Sequence, residues 1–301
     1  MSAAISVITP SFAQARFIER TIRSVIDQGV ADIEYVVVDG GSSDGTVDIL
    51  RRYEASLRFV SEPDAGQGDA VNKGLMMTTG PVIGWLNSDD IYYPGALGAV
   101  LDYFAQHPET DVVYGDARHI DENDAVIEDY PTEPWNLARL AEVCFLCQPA
   151  VFFRRRVVER FGLLDQSLYF CMDYEYWLRL GHGGARFAHL PRLIAGSRFY
   201  PENKTLSGRA AFHAEINSML RRRLGRVPDR WLANYAHVVV EERGIARADR
   251  PRFAYAVSWA VLRAGWHWNG ALNPSLLALT FGWLRGALAE TLSRHRRRAA
   301  P

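Results

Sequence analysis

The sequence predicts an α/β protein: a doubly wound mixed sheet flanked by helices, followed by a helical C-terminal extension. Strand-like and helix-like apolar segments alternate over the first 120 residues with short connections, which is typical of layered α/β folds. From about residue 208 onward the pattern is helical and rich in arginine. An apolar content of 48% and a charged content of 23% exclude a disordered chain, a collagen-like fibre and a polytopic membrane protein.

The elements follow from local patterns. The run Tyr35–Val38 is too apolar for a half-solvated strand, so it predicts the interior of a parallel sheet. Apolar side chains recur at helical spacing through Phe17–Ile26, which predicts a helix. The same criteria predict strands at 5–9, 35–38, 57–60, 82–86, 111–114 and 148–153, and helices at 17–26, 46–53, 70–77, 95–104 and 173–180.

Charge is distributed unevenly along the chain. The net charge of −1 gives no reason to expect nucleic-acid binding. Residues 1–191 hold 15 basic and 28 acidic residues, whereas residues 192–301 hold 19 basic and 7 acidic residues. The two parts are therefore expected to face different partners.

Cysteine usage and the chain start favour a cytoplasmic location. Cys144, Cys147 and Cys171 are too few for a disulfide framework, and no second pair accompanies the first two to complete a zinc site. We therefore expect three buried thiols. Residues 1–5 lack the basic start and apolar stretch of a secretion signal.

Polar clusters follow three of the predicted strands. They are Thr9-Pro10-Ser11, the segment from Asp39 to Gly45, and Asn87-Ser88-Asp89-Asp90. Ligands of open α/β sheets bind beyond the carboxyl ends of the strands, and adjacent carboxylates favour a divalent cation that also takes phosphate oxygens. The alternative is that these side chains only cap helices and form turns. Neither a dinucleotide fingerprint nor a P-loop follows the first strand, so those phosphate sites are poorly supported.

Five segments together resemble family 2 glycosyltransferases of the GT-A fold. The resemblance runs from about residue 4 to residue 200 and excludes the extension beyond about residue 208. The segments that carry it are Val7–Phe12, Val36–Thr46, Gln67–Gly74, Trp85–Asp90 and Met172–Arg179.

The resemblance implies a nucleotide-sugar site and a divalent metal ion, Mn²⁺ or Mg²⁺. Asp39 matches the acid that holds the nucleotide, and Asp89 matches the metal-ligating last acid of an Asp-x-Asp motif whose first acid is Asn87 here. Ala13 stands where members often have Asn, so one donor contact is missing. The remaining residues assigned to the donor are Thr9, Ser11, Asp69, Lys73 and Ser88.

Asp173 matches the catalytic base of the inverting members, with a helix N-cap as the alternative role. An acceptor hydroxyl is a poor nucleophile, so it must lose its proton as it attacks the anomeric carbon. A metal ion would neutralise the charge on the departing diphosphate. On the acceptor side we expect Trp85, Asp90 and Gln148, although buried aromatic side chains are more often core residues.

The extension predicts two apolar helices, roughly 253–268 and 275–293, because Asn-Gly and Asn-Pro pairs interrupt a 21-residue uncharged stretch. Four tryptophans and the basic run Arg294–Arg298 suit an anionic membrane surface. Packing on the catalytic domain and homodimerisation stay open as alternatives.

The leading hypothesis is a metal-dependent inverting glycosyltransferase that takes a sugar from a nucleotide diphosphate, most simply UDP, to a surface-polysaccharide or lipid-linked glycan. It would be cytoplasmic or peripheral on the inner face of the cell membrane. We expect a catalytic domain over 1–207, with nucleotide-sugar binding over about 1–115 and the acceptor part over about 116–207, and the extension over 208–301. The alternatives are a nucleotidyltransferase-like enzyme and a non-catalytic glycan- or nucleotide-binding module.

Overall fold

The computed structural model describes residues 3–204 and 208–298, with side chains as far as residue 292. Two compact units are present. One comprises Met1–Leu140 and Cys144–Leu206, and the other comprises Ala141–Val143 and Ser207–Pro301. What each part does stays a prediction.

The first unit alternates strands and helices. Its strands are β1 (Ile5–Ser11), β2 (Ile33–Asp39), β3 (Arg58–Ser61), β4 (Val82–Trp85), β5 (Ile91–Tyr92), β6 (Val112–Ile120), β7 (Val126–Asp129), β8 (Val151–Arg154) and β9 (Phe187–Arg198). Its helices are α1 (Ile18–Ile26), α2 (Thr46–Arg52), α3 (Gln67–Met77), α4 (Ala96–Gln106), α5 (Leu137–Glu142), α6 (Arg155–Phe161) and α7 (Met172–His182).

The strands form one mixed sheet in the order β3-β2-β1-β4-β8-β6-β9-β5, with β7 paired to β6. The first four strands in that order are parallel to one another, while β8 runs antiparallel to both of its neighbours. The expected mixed α/β sheet flanked by helices is confirmed. Because β1, β2 and β4 are parallel, their carboxyl ends meet at one edge of the sheet.

Strand alternation builds the two apolar layers of the unit. In β2, Val37 joins the larger core cluster with Ile18 and Ile22 of α1, whereas Val36 and Val38 face the opposite side. All five are inaccessible to solvent. The β2 run is apolar throughout because both faces of the strand are covered.

Helix α3 packs directly on β1 through a glycine. A Cβ atom at Gly74 would lie 2.3 Å from Cγ2 of Ile8, well inside van der Waals contact. Only glycine therefore allows the helix and the strand to approach this closely.

Several elements of the first unit differ from the expected pattern. Gln148–Ala150 is a 3-10 turn and the strand begins at Val151, because Pro149 has no N–H to donate to a ladder. Strands β5, β7 and β9 and helices α5 and α6 have no counterpart in the prediction. Strand β9 pairs with β6 along nearly its whole length, a contact between segments about 75 residues apart, and it contains Pro191.

The second unit is helical, as expected for the extension. Its helices are α8 (Arg209–Leu224), α9 (Asp229–Glu242), α10 (Arg250–Asn269) and α11 (Pro274–Arg298). The Asn269 side chain accepts from the Val227 N–H at 2.7 Å and donates to the Val227 carbonyl at 2.9 Å, which ties α10 to the turn before α9. No helix within the described ranges is long and apolar enough to cross a bilayer. The side chains of Arg294–Arg298 lie outside the described residues.

Candidate active site

The carboxyl ends of three neighbouring strands bring the predicted polar clusters together. Ser11 ends β1 and lies opposite Asp39, the last residue of β2, which in turn lies opposite Ser61 of β3. Strand β4 runs beside β1 and delivers the turn from Asn87 to Asp90 at the same edge. Motifs that are far apart along the sequence therefore lie close together in the folded chain.

Asp39 is fully buried and organises the loop that follows β2. Its Oδ2 accepts hydrogen bonds from the Gly41 N–H at 3.1 Å, the Ser42 N–H at 2.8 Å and the Ser61 hydroxyl at 2.7 Å. The Ser42 hydroxyl donates to Oδ1 at 2.5 Å. Gly41 has a φ of +85°, which glycine adopts without strain and which lets the loop turn back onto the carboxylate.

Ser11 and Thr9 differ in what their hydroxyls contact, although both belong to β1. The Ser11 hydroxyl is buried and has no hydrogen-bond partner among the described residues, so it is a polar atom that a ligand could satisfy. The Thr9 hydroxyl lies one strand pleat deeper, inaccessible to solvent, and shares a hydrogen bond of 3.2 Å with the Tyr35 hydroxyl. The structure therefore places Ser11 at the sheet edge and Thr9 in the interior.

Asn87 is the centre of a side-chain network. Its Oδ1 accepts from Gln67 Nε2 at 2.8 Å and from Trp85 Nε1 at 3.0 Å. Its Nδ2 donates to Gln148 Oε1 at 2.9 Å and to Asp90 Oδ2 at 3.3 Å. Both donor and both acceptor positions of this amide are engaged within the protein. Trp85 and Gln148 are buried here as supports of Asn87.

The acidic turn after β4 is held from two sides. The Thr21 hydroxyl of α1 donates to the backbone carbonyls of both Ser88 and Asp90, at 2.9 and 2.7 Å. The Arg198 N–H donates to Asp90 Oδ1 at 2.8 Å, and the Arg198 guanidinium donates to the Asp89 carbonyl at 2.7 Å. The Ser88 side chain is buried in this turn.

The two adjacent carboxyls carry raised pKa values. Burial raises the pKa of Asp90 well above its usual range, and the neighbouring Asp89 charge raises it further. Burial also raises the pKa of Asp89, although the hydrogen bond from the Tyr200 hydroxyl to Asp89 Oδ2 at 2.9 Å opposes this shift. A cation beside Asp89 would relieve both effects, because it favours the ionised carboxylates.

Asp69 and Lys73 form an ion pair on α3, with 3.4 Å between Lys73 Nζ and Asp69 Oδ2. Lys73 also contacts Glu62 at 3.1 Å, and the hydrogen bond to Glu62 contributes most to the raised pKa of the lysine. Asp69 Oδ1 accepts from Gln166 Nε2 at 3.1 Å. The start of α3 is therefore joined to the segment that leads into α7.

Asp173 is the second residue of α7 and is half-buried. Its Oδ1 accepts the Tyr174 N–H at 2.8 Å. Burial raises the pKa of the Cys147 thiol, and the charges of Asp90 and Asp173 both raise it further. The charges of Asp90 and Asp173 therefore both act on this buried thiol.

Arg198 and Tyr200, which the sequence did not single out, belong to this region, as does Gln67, which begins one of the five resembling segments but was given no role. Arg198 ends β9 and is inaccessible to solvent, with its guanidinium 4.8 Å from the Phe17 ring centroid. The available signal was positional, because Arg198 stands at the carboxyl end of a strand. That strand was not predicted, so the signal could not be used.

None of the three cysteines takes part in a disulfide bond. Cys147 and Cys171 are buried, and Cys144 is half-buried. Within residues 3–204 and 208–292, no three His, Cys, Asp or Glu side chains are grouped so that they alone could hold a metal ion.

A match to a family model shows the family of this chain. The model for glycosyl transferase family 2 matches residues 6–162, more than half of the chain. The chain belongs to glycosyltransferase family 2. The matched range contains all the strand-end clusters, whereas Asp173, Arg198 and helices α8 to α11 lie beyond it.

Individual relatives agree with this family. The Escherichia coli chondroitin synthase is 27% identical over 205 residues, which are 67% of this chain and 30% of the synthase. A Nostoc glycosyltransferase that is 32% identical over 177 residues shares 54% of each chain. This family 2 chain therefore spans about half or less of the length of these relatives.

Solved structures share its fold. S. aureus TarS 1-349 in complex with UDP-GlcNAc superposes with a TM-score of 0.58 at 17% identity, covering 88% of this chain and 82% of TarS. The mannosyltransferase PcManGT from Pyrobaculum calidifontis, in complex with GDP-Man and Mn²⁺, gives a TM-score of 0.55 at 18% identity, covering 97% and 88%. The expected GT-A type architecture is confirmed.

Proposed function

We propose that this chain is an inverting glycosyltransferase that uses a nucleotide diphosphate sugar, with UDP as the preferred nucleotide. The observation that carries the proposal is the arrangement of Ser11, Asp39 and the acidic turn after β4 at one edge of the sheet, in a chain that belongs to family 2. Similar folds bind UDP-GlcNAc in TarS and GDP-Man in PcManGT. The UDP preference rests on the resemblance of the motifs.

The donor would bind at the carboxyl ends of β1 and β2. The Ser11 hydroxyl offers an unused hydrogen-bonding atom there, and Asp39 fixes the loop around it. Asp69 lies in the first turn of α3, where the positive end of the helix dipole favours an anionic diphosphate, and its ion-pair partner Lys73 lies one turn further along.

A divalent metal ion fits the residues after β4. Mg²⁺ is usually held by one or two carboxylates together with substrate phosphate oxygens, so a complete ligand set from the protein is not needed. Asp89 Oδ2 accepts from Tyr200, which leaves Oδ1 outside that bond for a metal ion. When bound, the ion would neutralise charge on the diphosphate. PcManGT, a similar fold, holds Mn²⁺.

The transfer itself would require one carboxylate. Asp173 takes the proton of an acceptor hydroxyl, whose oxygen attacks the anomeric carbon from the face opposite the diphosphate. The bond between the anomeric carbon and the diphosphate oxygen breaks, and the diphosphate leaves with the electron pair. A single displacement of this kind inverts the anomeric configuration. Asp69, through Gln166, would help to fix the segment before α7.

For the acceptor we propose a surface-polysaccharide or lipid-linked glycan, transferred on the cytoplasmic side. The absence of a disulfide bond among the three cysteines supports a reducing compartment. Asp90 and Gln148 support the turn that would separate donor from acceptor.

The test is a transfer assay with a panel of UDP-sugars and GDP-mannose, each with Mn²⁺ or Mg²⁺ and a mixture of glycan acceptors, read by mass spectrometry. Release of UDP with a product of inverted configuration supports the proposal. Release of pyrophosphate in a parallel reaction with UTP or GTP and a sugar 1-phosphate would instead indicate a nucleotidyltransferase. UDP binding in calorimetry with no turnover or donor hydrolysis would indicate a binding module.

A further inference from the structure

Helix α10 exposes an aromatic and basic face. Tyr255, Trp259 and Trp266 are 46%, 64% and 67% exposed, at spacings of four and seven residues that place them on one side of the helix. Arg252 and Arg263 are exposed in the same stripe.

Helix α11 has a comparable face. Leu277, Phe281, Leu288 and Leu292 are 45%, 67%, 52% and 56% exposed, and Arg285 is exposed between them at helical spacing. We call these two stripes together the hairpin face. Among the described side chains, none that is exposed on α10 or α11 is acidic.

The hairpin face is distinct from the residues that hold the unit together. Val257, Val261 and Ala264 of α10 and Leu276 and Ala287 of α11 are buried on other sides of the two helices. The tryptophans divide in the same way.

Two of the four tryptophans in this region are used structurally. Trp268 contacts the Tyr235 ring edge-on at 4.8 Å, and Trp283 contacts the His237 ring at 5.5 Å. Trp259 and Trp266 are instead exposed. Large exposed apolar side chains grouped on one surface mark an interaction site.

We propose that the hairpin face docks on a bilayer that contains anionic phospholipid, lying on the surface with Trp259, Trp266 and Phe281 at headgroup depth. Tryptophan and tyrosine concentrate at this depth, and arginines beside them attract anionic headgroups. No described helix could span the bilayer, so the contact is peripheral.

The charge of the hairpin face favours an anionic bilayer as its partner over a second copy of the chain. A symmetric dimer through the hairpin face would bring Arg252, Arg263 and Arg285 together with the same residues of the partner, with no exposed described acid on either face to balance them. An anionic bilayer supplies the missing charge. The inference adds an acceptor-side membrane to the proposed function, but the binding itself does not require transfer activity.

The experiment is flotation of the full chain with phosphatidylcholine vesicles, with and without phosphatidylglycerol. We expect binding only with phosphatidylglycerol. The triple variant Arg252→Gln, Arg263→Gln, Arg285→Gln should bind on the order of a hundredfold more weakly, because each arginine near the surface contributes about 1 kcal/mol. The triple variant Trp259→Ser, Trp266→Ser, Phe281→Ser should lose at least about tenfold.

The matched control is Met76→Ser, Val126→Ser, Ile127→Ser, which removes apolar side chains of similar exposure from the first unit and should float like the wild type. Circular dichroism melting confirms that each variant folds, as expected for exposed positions. Equal flotation of wild type and both hairpin variants would overturn the proposal. So would a dimer in analytical ultracentrifugation that the hairpin variants abolish, without vesicle binding.

Failure of membrane binding and failure of transferase activity are distinguishable. Asp173→Asn should float like the wild type while losing turnover. The hairpin variants should keep the hydrolysis or transfer of soluble UDP-sugar while losing flotation. A chain that floats normally but turns over no donor contradicts only the proposed function.

Discussion

Replacing Asn87 by Asp would complete the Asp-x-Asp motif, but the structure predicts that this change destabilises the protein. The amide nitrogen donates to Gln148 Oε1 at 2.9 Å and to Asp90 Oδ2 at 3.3 Å. A carboxylate would present oxygen to both. Gln148 cannot turn its amide to compensate without losing the bond from its Nε2 to the Trp85 carbonyl, at 2.6 Å.

The magnitude follows from charge and protonation. Two carboxylates 3.3 Å apart repel by about 5 kcal/mol at an effective dielectric constant of about 20. Protonating an Asp of normal pKa at about pH 7 costs about 4 kcal/mol. Because this cost is smaller than the repulsion, one of the two carboxylates of the variant takes up a proton. We expect Asn87→Asp to lower the free energy of unfolding at neutral pH by an amount that reaches about 4 kcal/mol if the new carboxyl takes the proton, and is smaller if Asp90, whose pKa is already raised, takes it.

The pH dependence has a definite sign. The new carboxyl would have a raised pKa in the folded state, so the folded variant binds more protons than the unfolded variant above about pH 4. Its stability therefore falls as pH rises, and the difference from wild type should shrink by about 1.4 kcal/mol for each pH unit below neutral.

Urea unfolding at about pH 5 and about pH 7 measures both effects. Asn136→Asp is the matched control, because Asn136 caps α5 by accepting the Arg139 N–H at 2.9 Å, a position that Asp fills equally well. If Asn87→Asp matches the wild type at both pH values, the amide is not committed to the network and the reasoning fails.

Three further changes test the site and the fold. Asp173→Asn should lower kcat by about 10²- to 10⁴-fold with little change in UDP affinity by calorimetry, and unchanged kcat would remove the assignment of the base. Asp89→Asn removes the charge that raises the pKa of Asp90, so it should stabilise the protein by about 1 kcal/mol at neutral pH and raise its melting temperature. The same change should abolish the stabilisation of the fold by Mn²⁺. A melting temperature below wild type would contradict this. Gly74→Ala should cost about 1–3 kcal/mol in urea unfolding, since the added Cβ would lie 2.3 Å from Ile8 Cγ2, and an unchanged midpoint would contradict that contact.

The parallel half of the sheet could be predicted from the sequence because each of its strands has a local sequence pattern. The apolar run of β2 and the polar residues at its end are contiguous in the chain. Strand β9 could not be predicted, because its pairing with β6 is set by tertiary contacts and Pro191 interrupts its pattern. The sequence therefore does not indicate that Arg198 lies at the end of a strand of this sheet.

At the site, residue types could be assigned from motifs, but hydrogen-bonding roles could not. Asn87 and Thr9 sit where the motifs put them along the chain. Their side chains, however, are bonded to partners that only the folded chain brings near, Gln148 for Asn87 and Tyr35 for Thr9. Sequence spacing carries no information about such partners.

Through Thr21, helix α1 influences the acidic turn after β4 although α1 supplies none of the proposed site residues. One hydroxyl reaches two carbonyls of the acidic turn, so a change at this position would tilt Asp89 without altering any group that meets the sugar. In laboratory evolution for new donors or metals, productive substitutions are therefore expected on the buried side of α1 as well as among the residues that follow β1, β2 and β4. Libraries restricted to those strand-end residues would miss them.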